Sequence, residues 1–135
     1  MKLYTKRPSD FSFDWYSLSE SYKEIVSPSD TVLEIGASVK KRTIELSHFC
    51  KKIIGVELMP ERTPKGFGNI SYVTGDWQTL SNNIKPNSVD VAVSSHVIEH
   101  LVDDLAALQE LYKVLKPGGT ALINTPNRKR LPRAI

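Results

Sequence analysis

Val32-Leu33-Glu34-Ile35-Gly36 is the stretch of this 135-residue sequence from which its architecture follows most directly. The run before Gly36 is largely apolar, as in a strand buried on both faces, and the glycine permits a tight turn. A second apolar run ends at Glu57, about 20 residues further on, as in the nucleoside-binding crevice of a doubly wound α/β fold. Ala37-Ser38-Val39-Lys40 follows Gly36 where a dinucleotide-binding turn has more glycines, so the pattern favours a ligand without a pyrophosphate.

Three segments have the apolar spacing of a helix. The first covers residues 14–26 and ends before Pro28, and residues 1–12 are expected to be irregular. The second covers residues 40–50. The residues of the second that should face inward are Ile44, Leu46 and Phe49. The third is amphipathic and ends at residues 117–119, Pro-Gly-Gly. Its apolar positions are Leu101, Leu105, Leu108, Leu111 and Leu115.

Five strands alternate with these helices along the chain. They are residues 31–36, 52–57, 70–74, 89–94 and 120–124. This alternation predicts a single α/β domain over 1–135, with a Rossmann-like, doubly wound and mostly parallel sheet. Numbered as they occur in the chain, the strands are expected in the order 3-2-1-4-5. The prolines and glycines of residues 59–69 leave room for only a turn or two between strands 2 and 3.

The composition is that of an ordinary globular protein, with 40% hydrophobic and 24% charged residues. No apolar run approaches the roughly 18 residues that span a bilayer, and the N-terminus lacks the apolar stretch of a signal peptide, which argues against a membrane role. The single Cys50 excludes an internal disulfide and favours a cytoplasmic protein. Part of the net charge of +3 lies in the basic tail 126–135, which could touch nucleic acid but is more typical of a solvated terminus.

Polar and small residues collect at the carboxyl ends of the predicted strands, where ligands bind in this class of fold. Gly36 would let the backbone approach a ligand, and Glu57 would accept both hydroxyl hydrogens of a ribose. Asp76 would accept from an exocyclic amine or cap a short helix at 77–81. The Trp77 ring would stack on a purine or pack in the core. The candidate cofactor-binding residues are Glu34, Gly36, Ala37, Ser38, Glu57, Leu58, Gly75, Asp76, Trp77, Ser94 and Ser95.

Five segments, in this order and spacing, resemble the motifs of the class I S-adenosylmethionine-dependent methyltransferases, especially their small type 11 group. They are residues 32–36, 54–57, 73–77, 88–101 and 111–120. The resemblance implies S-adenosyl-L-methionine as the cofactor and methyl transfer to a small acceptor, for which positioning and desolvation suffice.

The resemblance also implies a role for each matching residue. Glu34 would contact the methionine amino group directly or through water, Glu57 would hold the ribose, and Asp76 would meet the adenine amine. Residues 94–96 would line the pocket near the sulfonium, with His96 as the candidate general base. The family normally adds two strands after the fifth, and this sequence ends before them. A second copy of the chain, its own N-terminal segment, or further sequence could cover that edge.

Two other functions stay open. Ser38 and Lys40 stand where the family usually has small residues, and with the short 59–69 segment and the missing strands they favour a non-catalytic binding or partner subunit. Residues 96–100 match the H-x-x-E-H pattern of inverted zinc peptidases, in which His96 and His100 would share a helix face and Glu99 would act as base. Because no third ligand is evident beyond the nearby Glu110, the zinc hydrolase is the remote alternative and no metal is predicted.

Overall fold

A single parallel sheet forms the framework of the protein, in a computed structural model that describes residues 2–3, 22–38 and 40–125. Its strands are β1 (Lys2–Leu3), β2 (Thr31–Ile35), β3 (Lys52–Glu57), β4 (Ile70–Thr74), β5 (Val89–Ser95) and β6 (Leu115–Asn124). They lie in the order β1-β6-β5-β2-β3-β4, and each neighbouring pair is parallel. The predicted order 3-2-1-4-5 is confirmed, and β1 extends it by one strand beyond β6.

The N-terminal strand corrects one expectation. Irregular backbone was expected over residues 1–12, and Lys2–Leu3 instead pairs with β6 at Thr120 and Ala121. The chain's own N-terminus therefore covers part of the edge that β6 would otherwise present. The remainder of 1–12 and the basic tail 126–135 lie outside the described residues.

In the described parts of the chain, two α-helices and three short 3₁₀ segments connect the strands. The helices are α1 (Lys40–Ser47) and α2 (Asp104–Val114), and residues 22–25 are the described end of the helix predicted before Pro28. The 3₁₀ segments are Pro60–Arg62, Trp77–Asn82 and Ile98–His100. Only the first of these occupies the crossover from β3 to β4, which confirms the short connection predicted there. No helix in the described parts of the chain is long and apolar enough to cross a membrane.

A buried layer packs on each face of the sheet, and successive strand residues point to opposite layers. Val32 and Ile53 face the layer that contains Tyr22 and α1, where Leu46 completes a buried cluster. Leu33 and Val56 face the other layer. That second layer is formed by α2 and the segment Trp77–Asn82, and its buried residues include Trp77, Leu80, Ala107 and Leu111.

Both helices bury only part of the face predicted to point inward, and Leu46 and Leu111 are buried as predicted. Phe49 lies beyond the end of α1 and is 41% exposed, while Thr43 and Leu46 are buried. Helix α2 begins after its N-cap Asp103, whose side chain accepts a hydrogen bond from the Ala106 N–H, so Leu101 precedes the helix. This later start leaves Leu105 62% exposed. The buried face of α2 is Ala107, Glu110, Leu111 and Val114.

The start of β6 also differs from the prediction of a helix that runs to residues 117–119. The helix ends at Val114, and Leu115 already pairs with Val89 of β5. The next pairing joins Thr120 to Val91, so the pairing is irregular over residues 116–119. The glycines thus lie in an irregular part of β6 and not at the helix end.

Candidate functional site

The carboxyl ends of β2, β3 and β5 meet at one edge of the sheet. β2 lies between β3 and β5. From β2 the chain continues to β3 and β4 on one side and then crosses to β5 on the other side. In open α/β sheets this reversal opens a crevice in which ligands bind. The predicted site residues on these three strands, Glu34, Glu57, Ser94 and Ser95, are therefore brought to the same edge.

Gly36 makes the turn that borders the crevice beside β2. Its φ of +80° is in the left-handed region, and its N–H and that of Ala37 both donate to the Val56 carbonyl, at 2.9 and 3.1 Å. A Cβ on Gly36 would lie 2.5 Å from Cγ2 of Val97, which packs over the turn. Glycine is thus required here for its backbone angle and for the close approach of a neighbour. Ser38, two residues after Gly36, is exposed.

The Ala37 side chain closes the base of the same turn. Ala37 is buried. A Cβ on Gly55 of β3 would lie 2.7 Å from the Cβ of Ala37 and 2.6 Å from the Tyr72 ring. Ala37 therefore packs closely against β3 at Gly55.

The Glu34 carboxylate is fully engaged inside the protein. It is 1% exposed, and it accepts hydrogen bonds from Nε of Arg42 at 2.8 Å and from Oγ1 of Thr43 at 2.6 Å. Burial raises the pKa of Glu34, and the charge of Arg42 and the hydroxyl of Thr43 oppose that rise. Sequence reasoning assigned Glu34 to the ligand, and it missed that Arg42, eight residues later on α1, pairs with it.

Glu57 is the buried acid at the end of β3. Among the described residues its carboxylate accepts one hydrogen bond, from the Met59 N–H to Oε1 at 3.3 Å. The Glu57 backbone carbonyl accepts from the Gly75 N–H at 2.9 Å, which joins the ends of β3 and β4. Leu58, the next predicted site residue, is exposed at the mouth of this edge. Glu57 consequently keeps acceptor capacity for a ligand hydroxyl.

Asp76 and Trp77 follow β4 and take different roles. Asp76 is the N-cap of the segment Trp77–Asn82, and its Oδ1 accepts from the Gln78 N–H at 2.8 Å. The capping role predicted from the sequence is confirmed. The Trp77 side chain is 2% exposed and belongs to the core beneath α2, so its ring has no open face for a purine. The stacking alternative for Trp77 is therefore wrong.

The end of β5 carries two buried serines and a strained histidine. Ser95 Oγ accepts from Nδ2 of Asn124 at 3.3 Å, and the His96 N–H donates to the Asn124 carbonyl at 2.9 Å. His96 has a φ of +57°, which turns the chain away from the strand. Its imidazole is about one-third exposed, so it lies at the rim of the crevice.

Tyr22 reaches this end of the sheet from the N-terminal helix. Its side chain is fully buried, its ring centre lies 5.9 Å from Cζ of Arg42, and its hydroxyl interacts with Ser95. Burial raises the pKa of this hydroxyl. The Tyr22 hydroxyl and the Ser94 Oγ are buried without a hydrogen-bond partner of good geometry in the described residues. The helical spacing of residues 14–26 does not reveal a polar tip aimed at a site.

The segment 96–100 does not form the helix that a zinc site would need. Only Ile98–His100 is helical, as a 3₁₀ turn, and Glu99 Oε1 lies 3.6 Å from Nδ1 of His96 and 3.8 Å from Nε2 of His100. Glu110 instead accepts from the Ser81 N–H at 2.7 Å. Within the described residues no group of three or more His, Cys, Asp or Glu is placed to hold a metal ion.

The remaining crevice suits a nucleoside with a polar tail. Glu57 supplies a buried acceptor, Gly36 supplies a close backbone, and the unpartnered Tyr22 and Ser94 hydroxyls supply further polar atoms at the same edge. Unpartnered buried hydroxyls are rare in folded proteins and are found where a ligand or water pairs with them. The residues present therefore fit the adenosine and amino-acid parts of the expected cofactor.

Known proteins support the same assignment. A family model described as a methyltransferase domain matches residues 33–123. A probable S-adenosylmethionine-dependent methyltransferase of Mycolicibacterium smegmatis is 54% identical over 92 residues, which are 68% of this chain and 32% of that protein. The solved structure of YcgJ from Bacillus subtilis has a TM-score of 0.72 at 24% identity, over 82% of this chain and 50% of that one.

A further solved structure is that of a Haemonchus contortus phosphoethanolamine N-methyltransferase 2 in complex with S-adenosyl-L-methionine. It has a TM-score of 0.69 at 23% identity, over 81% of this chain and 27% of that one. The chain thus spans half or less of the length of each of these three proteins.

Proposed function

Because this chain belongs to the class I S-adenosylmethionine-dependent methyltransferases, in their type 11 group, we propose that the crevice between β2 and β5 binds S-adenosyl-L-methionine for methyl transfer to a small acceptor. The cofactor would supply an electrophilic methyl group. The chain's own residues would orient the cofactor and keep water from it. A cytoplasmic location is part of the proposal and is supported by the free, half-buried thiol of Cys50.

The observation that carries the proposal is the buried carboxylate of Glu57. It stands at the end of β3, one strand away from the Gly36 turn, and keeps one oxygen without a hydrogen bond in the described part of the chain. A carboxylate oxygen without a protein donor can accept hydrogen bonds from the two hydroxyls of a ribose. We therefore assign the ribose to Glu57, with Gly75 and the Asp76 carboxylate on the adenine side.

Replacement of Glu57 tests this assignment. We expect Glu57→Gln to weaken S-adenosylhomocysteine binding by about 1–3 kcal/mol, because an amide accepts less well and presents its own N–H groups to the ribose. Isothermal titration calorimetry measures the affinity, and Glu61→Gln, which removes an exposed carboxylate four residues later, is the matched control. Equal affinities for the two variants would remove Glu57 from the site.

His96 is proposed as the general base because its imidazole lies at the rim of the crevice, 3.6 Å from the Glu99 carboxylate. His96→Asn keeps a residue that tolerates the positive φ, so the fold should be preserved. We expect unchanged cofactor affinity and lost methyl transfer to a panel of small phenols and amines. Transfer at the native rate by this variant would exclude His96 as the base.

A non-catalytic binding subunit is the second candidate function. The Glu34–Arg42 ion pair favours it, because a carboxylate that is already paired is less available to the cofactor's amino group. Binding of S-adenosylhomocysteine with no methyl transfer to any acceptor of the panel would support this candidate. No binding at millimolar ligand would contradict both functions.

A further inference from the structure

The Glu34 carboxylate is a poor partner for a ligand's ammonium group in this chain. Both of its oxygens accept hydrogen bonds, one from the Arg42 guanidinium and one from the Thr43 hydroxyl, and it is nearly inaccessible to solvent. The positive charge of Arg42 cancels the negative charge of Glu34 at 2.8 Å. An ammonium group placed beside this pair would gain little attraction and would meet the repulsion of the guanidinium.

Arg42 keeps hydrogen-bond donors after pairing with Glu34. In the described part of the chain only its Nε is recorded as a donor, although a guanidinium has five N–H groups. Its side chain is 10% exposed, and its Cζ lies 5.9 Å from the centre of the Tyr22 ring. The guanidinium is thus oriented by its ion pair with Glu34 and lies close to the Tyr22 ring.

The Tyr22 hydroxyl adds a second donor at the same place. Tyr22 is fully buried, and its hydroxyl interacts with Ser95 without a hydrogen bond of good geometry to any described residue. A planar guanidinium and a phenol O–H are the groups that proteins use to bind a carboxylate. Both stand at the carboxyl end of the central strands, next to the turn that follows Glu34.

We infer that Arg42 is a specificity-determining residue that makes this end of the crevice bind the carboxylate of the ligand's amino-acid part and not its ammonium group. The inference rests on the proposed function, since it concerns the same crevice. Arg42 donates through Nη, the Tyr22 hydroxyl donates beside it, and Glu34 fixes the orientation of the guanidinium. Glu34 is then a positioning residue and does not contact the ligand.

Three ligands test whether the protein recognises the carboxylate or the ammonium group of the ligand's amino-acid part. They are S-adenosylhomocysteine, the analogue that lacks only its carboxylate, and the analogue that lacks only its amino group. By isothermal titration calorimetry on the whole chain, we expect loss of the carboxylate to weaken binding by about 10- to 100-fold and loss of the amine by about threefold or less. The opposite order would overturn the inference and leave the proposed function intact. No binding of S-adenosylhomocysteine would instead refute the proposed function.

Variants assign the preference to Arg42. We expect Arg42→Met to bring the two analogues within about threefold of each other. Because this change leaves the Glu34 carboxylate buried beside Thr43 alone, the double variant Glu34→Gln/Arg42→Met removes both charges together and should show the same loss of preference with a native circular dichroism spectrum. Lys41→Met, an exposed lysine next to Arg42 on α1, is the matched control and should keep the preference. A double variant that still prefers the carboxylate would exclude Arg42.

Discussion

Replacing Gly36 by alanine should destabilise the protein through two separable effects. An L-residue at a φ of +80° costs about 1–2 kcal/mol of backbone energy. The new Cβ would also lie 2.5 Å from Cγ2 of Val97, and such overpacking costs about 1–3 kcal/mol. Val97 is β-branched, so few rotamers are open to it to relieve the contact. We therefore expect Gly36→Ala to lower the free energy of unfolding by about 2–5 kcal/mol.

Gly118 is a matched control within the same chain. Its φ of +78° is almost that of Gly36, but a Cβ there would have no neighbour within 4 Å. Gly118→Ala carries the same backbone term and the same change in unfolded-chain entropy, so both cancel in the comparison. Gly36→Ala should accordingly be less stable than Gly118→Ala by the packing term alone, about 1–3 kcal/mol.

Urea unfolding followed by far-ultraviolet circular dichroism measures both variants and reports whether the slopes match. In a Val97→Ala background, Gly36→Ala should lose only what Gly118→Ala loses, since the contacting methyl group has gone. The reasoning would be refuted if Gly36→Ala and Gly118→Ala were equally stable in the native background. It would also be refuted if Val97→Ala restored nothing.

Two further predictions concern α2. The hydrogen bonds from the Lys113 and Ser81 side chains, with that from the Ser81 N–H, lower the pKa of Glu110 to about 2. The stability it contributes should be present above its ordinary pKa of 4.5 and be lost as the pH falls towards 2. Glu110→Gln should make the urea-unfolding midpoint less dependent on pH across that range and should lower the free energy of unfolding by about 1–2 kcal/mol at pH 7. An unchanged dependence of the midpoint on pH would contradict this. Leu111→Ala should lower the free energy of unfolding by about 2–5 kcal/mol and Leu105→Ala by about 0.5 kcal/mol or less, because Leu111 is buried and Leu105 is exposed. Thermal melts in which Leu105→Ala is the less stable variant would contradict this assignment of the buried face.

The sequence was sufficient for the sheet and for the place of the crevice. Largely apolar runs such as residues 32–35 identify strands buried on both faces, and alternation with helices predicts a parallel sheet. The turn at Gly36 and the position of Glu57 at a strand end could be predicted because both depend on backbone position, which spacing along the chain reports. The same logic placed Asp76 at a helix start, where its capping hydrogen bond is observed.

Side-chain environments were harder to predict, for physical reasons. The inward face of α2 depends on where the helix begins, and the N-cap Asp103 moves that start past Leu101. Trp77 could stack or be buried by its chemistry alone, and only the packing of α2 against its segment decides the matter. The pairing of Arg42 with Glu34 joins a helix to a strand across a turn, and no periodic pattern records such a contact.

The parallel pairing of β2 with β5 has a consequence for how the protein acquires its binding site. Val32 of β2 is paired with Val91 of β5, so the two strands that border the crevice are far apart in the sequence. No hairpin can form this pair locally, and loop-closure entropy must be overcome before the strands meet. In a refolding experiment, the return of ligand binding should therefore lag behind the return of helical signal. The return of ligand binding would report the completion of the central sheet, whereas the helical signal would report the earlier formation of helices such as α1.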